Sequence, residues 1–106
     1  MINFKNKKIY GWSKSSYSRC NYLETSNEEQ ITDVFDYAKK NNNKISLRGG
    51  GRSYGDNTLN KNNIVLKHVA EKNIHSFNEL NGEILVSGSC KLIELLKFTI
   101  PKGWIL

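Results

Sequence analysis

Cysteine, proline, histidine and long apolar runs are all scarce in this 106-residue chain, and each scarcity removes a class of structure. The two cysteines, Cys20 and Cys90, lie far apart and show no C-x-x-C spacing. A zinc site and a dense disulfide framework are thereby excluded, and two free, reduced thiols are expected. His68 and His75 stand apart from any Cys, Asp or Glu at ligand spacing, so no metal is expected. No apolar run approaches the roughly 20 residues that cross a bilayer. Residues Met1 to Lys8 lack the apolar stretch of a secretion signal, which makes a cytoplasmic address the expectation.

Acidic residues are also outnumbered. Sixteen Lys and Arg face ten Asp and Glu, giving a net charge of +6. A surplus of that sign invites nucleic acid, because clustered cations release the counterions of a phosphate backbone. The lysines are scattered, however, and no RNP-like aromatic motif, helix-turn-helix signature or long basic helical face accompanies them. Abundant Lys and Asn with a single Pro reads as the imprint of an AT-rich coding sequence, and no nucleic-acid partner is expected. Hydrophobic content of 38% against 25% charged residues is that of an ordinary globular chain, slightly on the polar side. At this length one domain with a modest core is the most that fits.

Along the chain, Ile9-Tyr10-Gly11-Trp12 opens an apolar and aromatic segment, and Ser13 to Ser18 reads as a loop. Ser26-Asn27-Glu28-Glu29 carries a capping-box pattern with Ser26 as N-cap. Ile31, Val34, Phe35 and Ala38 then fall on one helical stripe, which Asn41-Asn42-Asn43 brings to an end. Lys44 to Arg48 reads as a strand, and Ile64-Val65-Leu66 as a second, apolar on both faces and therefore interior. A strand around Ile74 leads to Asn81-Gly82, and Glu83 to Ser87 completes a hairpin. Ser89 is placed to cap a second helix bearing Leu92, Leu95 and Leu96, which Pro101 and Gly103 close. Trp104-Ile105-Leu106 is expected to open a further strand, so that the chain reads as the first piece of a longer protein.

The most informative run is Arg48-Gly49-Gly50-Gly51-Arg52-Ser53-Tyr54-Gly55-Asp56-Asn57. Three successive glycines between two arginines strip the loop of side chains while keeping it positive. Backbone N–H groups in such a loop can turn inward as a nest for anionic oxygens. Ser53, Tyr54 and Asn57 add neutral hydrogen-bonding groups. A Walker loop is excluded, since no Lys followed by Ser or Thr lies at the required distance. A Rossmann fingerprint is excluded too, because the final glycine is missing and the polar segment Asp56 to Asn63 cannot form an amphipathic helix.

The loop resembles the pyrophosphate loop of FAD-linked oxidases of the vanillyl-alcohol-oxidase type, which carry a PCMH-type FAD-binding domain. It is similar in particular to the branch of decaprenylphosphoryl-ribose and aldonolactone oxidases, where an Arg-Gly-x-Gly-Arg-Ser-Tyr-Gly-Asp run is characteristic. Gly11-Trp12, the helix from Asn27, and the segment Gly88 to Gly103 resemble their counterparts in order and spacing. The resemblance implies an α+β fold, the N-terminal half of the FAD-binding domain, with a small sheet and two helices. It implies FAD as cofactor, with Arg48, Gly49, Gly50, Gly51, Arg52, Ser53, Tyr54, Gly55, Asp56 and Asn57 as the cofactor-binding residues. Arg52 stands where many relatives carry the His that bonds to flavin, which implies non-covalent FAD at this position. The implied activity is a flavin-dependent oxidation of a sugar-type alcohol or lactone, with no catalytic residue among these 106. The alternative is a stand-alone or degenerate phosphate-binding module that lacks the chemistry. Tyr10, Trp12 and Trp104 are either core aromatics or ring contacts, and Glu94 is expected to be structural.

Overall fold

The strand at the centre of the fold is one whose composition conceals it. In the computed structural model, which describes residues 2–12, 14–51 and 59–106, Lys5–Tyr10 (β1) and Tyr17–Thr25 (β2) form an antiparallel hairpin. The register runs from Lys5 opposite Tyr22 to Tyr10 opposite Tyr17. The turn between them is closed by Gly11 N–H on the Ser16 carbonyl and Lys14 N–H on the Gly11 carbonyl, each at 3.0 Å. The expected loop from Ser13 to Ser18 is thus corrected. β2 begins at Tyr17, because alternation buries Ser18, Cys20 and Tyr22 on one face and Leu23 and Thr25 on the other.

Glu28–Asn41 (α1) follows. Asn27 is its N-cap, its side-chain oxygen accepting from the N–H groups of Glu29 at 2.9 Å and Gln30 at 3.4 Å. Ser26 lies one residue too early, because Thr25 Oγ1 accepts the Asn27 N–H at 3.0 Å and holds that residue at the entrance. At the other end Asn42 takes a left-handed conformation, φ 53°, and its N–H returns to the Ala38 carbonyl. Val34 and Ala38 are buried and Ile31 packs beside them, but Phe35 is 50% exposed and lies at the edge of the stripe.

Ile45–Leu47 (β3) and Ile64–His68 (β4) complete a four-stranded sheet in the order β1-β2-β4-β3, with β4 parallel to both neighbours. The interior position expected for Ile64, Val65 and Leu66 is met, since the three are between 0% and 1% exposed. Ile64 and Leu66 join Leu23, Val34 and Ala38 beneath the helix, while Val65 joins Ile9, Cys20, Tyr22 and Leu59 on the opposite face.

The described residues divide into two compact units, Met1–Val69 and Ala70–Leu106. In the second, Ile74–Phe77 (β5) and Ile84–Val86 (β6) form the expected antiparallel hairpin, and Leu92–Thr99 (α2) the expected helix, followed by a 3-10 turn at Ile100–Lys102. Ser89 does not cap α2. Lys91 occupies the N-cap without a side-chain bond, because the Ser89 hydroxyl accepts from Ala70 N–H at 2.9 Å and donates to Asn73 Oδ1 at 2.7 Å. Asn73 Nδ2 donates to Glu94 at 2.8 Å, which makes that carboxylate structural as expected. Trp104 to Leu106 form no strand. The Trp104 ring instead packs on Gly82, where φ is +78° and an added Cβ would meet the ring at 2.7 Å, and its Nε1–H donates to the Glu79 carbonyl. Together these elements make a small α+β structure with two helices, as the sequence implied.

Replacing Asn27 with Ala removes the acceptor of two orphan amides and is expected to cost about 1 kcal/mol. Ser26→Ala is expected to stay within about 0.5 kcal/mol of the parent. Urea titrations of the two variants test this, and equal losses would return the cap to Ser26.

Candidate functional site

β3 and β4 are adjacent and parallel, so the chain leaving the C-terminal end of β3 has to travel back along the sheet before β4 begins. One face is already filled by α1. At the described end of the return, Leu59 lies on the other face, 3% exposed against Ile9, Cys20, Tyr22 and Val65. At the departure, the Arg48 N–H still bonds the Leu66 carbonyl at 3.0 Å.

Its re-entry is held by side chains that look like filler in the sequence. Ser18 Oγ donates to the Leu59 carbonyl at 2.7 Å. Asn60 Nδ2 donates to the carbonyls of Lys44 at 3.0 Å and Ile64 at 2.8 Å. Asn63 Oδ1 accepts the Lys44 N–H at 2.9 Å. Asn60 and Asn62 also adopt positive φ, 41° and 60°, which Asn tolerates better than most residues. Asparagine is therefore used here for local geometry and for stapling β3 to β4 at their N-terminal ends, a role that the reading of Asp56 to Asn63 as too polar for an amphipathic helix missed.

Of the expected cofactor-binding residues, Arg48, Gly49, Gly50 and Gly51 are described, while Arg52, Ser53, Tyr54, Gly55, Asp56 and Asn57 lie outside the described residues. Gly49 and Gly50 are exposed. A Cβ added at Gly49 would meet nothing within 4 Å, so space for a ligand lies beside that backbone. Gly51 has φ +71°, and a Cβ there would come within 2.5 Å of Arg48 Nη2. Both facts require glycine. Among the described residues, the N–H groups of Gly49, Gly50 and Gly51 donate to no carbonyl. Unspent amides on a glycine backbone are the donor set that suits an anionic oxygen.

The sequence did not foretell where the Arg48 side chain goes. Its Nη2 donates to the Tyr10 carbonyl at 2.8 Å, at the mouth of the β1–β2 turn. Tyr10 and Trp12 are 44% and 50% exposed beside that turn, and neither is a core residue.

The sheet face beneath carries charge as well as apolar groups. Tyr22 OH donates to Glu24 Oε1 at 3.2 Å, and Lys67 Nζ lies 3.9 Å from the same oxygen. Lys7 Nζ sits 4.5 Å from the Tyr22 ring centroid. Burial first, and then the Glu24 carboxylate, push the Tyr22 phenol up to about 12. Burial likewise pushes the Cys20 thiol up, with Arg48 and Lys7 pulling the other way, so the potential at that face is positive. Cys20 and Cys90 are both free, as expected. No group of three or more His, Cys, Asp or Glu able to hold a metal occurs among the described residues.

A glycine-rich loop on a small α+β sheet finds its match among known proteins. Residues 21–106 match the FAD binding domain family. The chain belongs to that family. FAD is its cofactor, and the matched span takes in β3, the glycine loop, β4 and α2 of this FAD binding domain. Over 101 residues the domain is 31% identical to decaprenylphosphoryl-beta-D-ribose oxidase of Mycolicibacterium smegmatis, an alignment covering 93% of this chain and 22% of that protein. This FAD binding domain therefore spans about a fifth of the length of that curated relative. No described helix is long and apolar enough to cross a membrane.

The Tyr22 environment gives a pH dependence of definite sign. The unfolded chain releases this proton near the ordinary value of 10.0, and the folded domain holds it to about 12. The folded state thus binds the proton more tightly, and its stability is expected to fall as pH rises from about 10 to about 12. Tyr22→Phe should flatten that fall, as read from thermal melts across this range. An identical pH slope in the variant would assign the loss to other groups.

Proposed function

We propose that this domain is the FAD-holding part of a flavin-dependent oxidoreductase whose substrate is a sugar-type alcohol or lactone, and that the loop Arg48–Asn57 holds the FAD diphosphate. The observation that carries the reading is the glycine loop at the C-terminal end of β3, with its amides unspent and open space beside Gly49. The relative is named as an oxidase of a phosphoryl-linked ribose, which supports a sugar-type donor.

The residues present suit a diphosphate. Amides of Gly49, Gly50 and Gly51 supply donors without side chains in the way, and Arg52, Ser53, Tyr54, Gly55, Asp56 and Asn57 follow them directly in the sequence. The positive charge of Lys7 favours an anion on that side of the sheet. When bound, FAD supplies the capacity to accept a hydride from a carbinol carbon. Everything the described residues contribute is binding and electrostatics. Arg52 does not tether the flavin, because a guanidinium stays protonated and is a poor nucleophile. Two reduced thiols suit the cytoplasm, the compartment we assign.

Titration of FAD with the purified protein, followed by flavin fluorescence quenching, tests the loop. Gly50→Val places a branched side chain where the anion must approach and is expected to weaken FAD by about a hundredfold, the loss of two charge-assisted hydrogen bonds. Its far-ultraviolet circular dichroism should be unchanged. Equal quenching by the parent and the variant would remove the loop from the cofactor site. Acid precipitation of the FAD-loaded protein should leave a colourless pellet, whereas yellow protein would contradict non-covalent binding.

A further inference from the structure

Resting on the reading of Arg48–Asn57 as the diphosphate loop, the geometry points to Arg48 as a clasp. It is a positioning residue that ties the glycine loop to the β1–β2 turn and so aims the loop amides, in place of the direct phosphate counter-charge that its sequence position suggests. β1 and β3 are the two edge strands of the sheet. In a flat sheet three strand spacings alone would hold them about 14 Å apart, and the register, with Tyr10 level with Tyr17 and Leu47 level with Leu23, adds an offset along the strands, so one side chain could not span the gap. The 2.8 Å bond from Arg48 Nη2 to the Tyr10 carbonyl therefore joins two edges that only a curled sheet brings together.

Both ends of the clasp are rigidly held. At one end the Arg48 backbone is the last rung of the β3–β4 ladder, through its N–H to the Leu66 carbonyl at 3.0 Å. At the other, the Tyr10 carbonyl is set by its pairing opposite Tyr17 and by the two bonds that close the turn from Gly11 to Ser16. Between them the guanidinium lies against Gly51, where an added Cβ would stand 2.5 Å from Nη2, 3.1 Å from Cζ and 3.5 Å from Nε. The third glycine of the loop thus lies on the guanidinium as well as adopting φ +71°. A planar fork can support a backbone from below and donate at its rim in one conformation, whereas a lysine ammonium offers a point donor without the plane. The charge of Arg48 stays near the loop, and its Nη2 is committed to the Tyr10 carbonyl.

The test separates clasp from counter-charge with Arg48→Ala and Arg48→Lys in the full chain. In the FAD-free protein, both variants are expected to speed hydrogen exchange at the Gly11 and Lys14 amides by roughly tenfold, since the turn loses its tie to β3. In FAD titrations at low and high salt, the two variants should weaken binding to within about threefold of each other, with the salt dependence of the parent kept. Gly51→Ala should cost less affinity in the Arg48→Ala background than in the parent, because the guanidinium it would strike is gone. Unchanged exchange in Arg48→Ala overturns the clasp. So does an Arg48→Lys protein that binds FAD like the parent while Arg48→Ala loses both affinity and salt dependence, which is the behaviour of a charge laid on phosphate. A parent protein that fails to bind FAD would instead overturn the reading of the loop, and the exchange measurement would still decide the clasp.

Discussion

A parallel strand pair set side by side is the constraint on which this domain turns. β3 and β4 run in the same direction, so the chain that leaves the end of one has to come back to the start of the other, and α1 already covers one face of the sheet. The described ends of that connection are a glycine-rich departure, 48–51, and an asparagine-rich re-entry, 59–63, and neither is helical. At the departure the amides of Gly49, Gly50 and Gly51 are thereby not consumed by helical bonds, whereas a helix leaves amides open only at its first turn. Ser18, Asn60 and Asn63 hold the return, and Leu59 supplies its one deeply buried anchor among the described residues.

That face is tuned as much by what is neutralised as by what is charged. Glu24, the acid nearest Tyr22, is engaged by the phenol and by Lys67. Lys7 and Arg48 then dominate the field over Cys20, whose thiol burial keeps protonated. A buried neutral thiol is chemically inert, so Cys20 contributes packing to this sheet face without reactivity. The family match gives this arrangement its cofactor, and the relative's greater length leaves room for the chemistry to be supplied by other residues.

Legibility followed the kind of signal each element carries. β4 was readable because Ile64, Val65 and Leu66 are apolar on both faces, and α1 because Val34 and Ala38 keep helical spacing. The β5–β6 hairpin was readable from Asn81-Gly82. β2 was not, because Tyr17-Ser18-Arg19-Cys20-Asn21-Tyr22 alternates polar with small or amphipathic residues, and its burial depends on partners from β1, β4 and the returning loop. Ser26 and Ser89 were each misplaced as caps for one reason. A hydroxyl or amide can serve several backbone groups, and nearby competitors, Thr25 for the first and Asn73 for the second, decide which. Trp104 was taken for a strand by its hydropathy, yet it finds its partner in a glycine turn 22 positions earlier, a contact that no local window contains.

The amino-acid sequence by itself determined the helical stripe, the interior strand and the presence of a glycine run between two arginines, because each rests on residues close together in the chain, while the α+β class was legible through resemblance to a family. Only the tertiary structure decided that Leu59 is buried on the sheet face opposite α1, and that Arg48 reaches the Tyr10 carbonyl instead of standing free. Those outcomes depend on strand order and sheet curl, which bring together residues distant in the chain, as in the bond from Ser18 to Leu59 across 41 positions. Pairing energies between distant strands set them, and no local pattern encodes such energies.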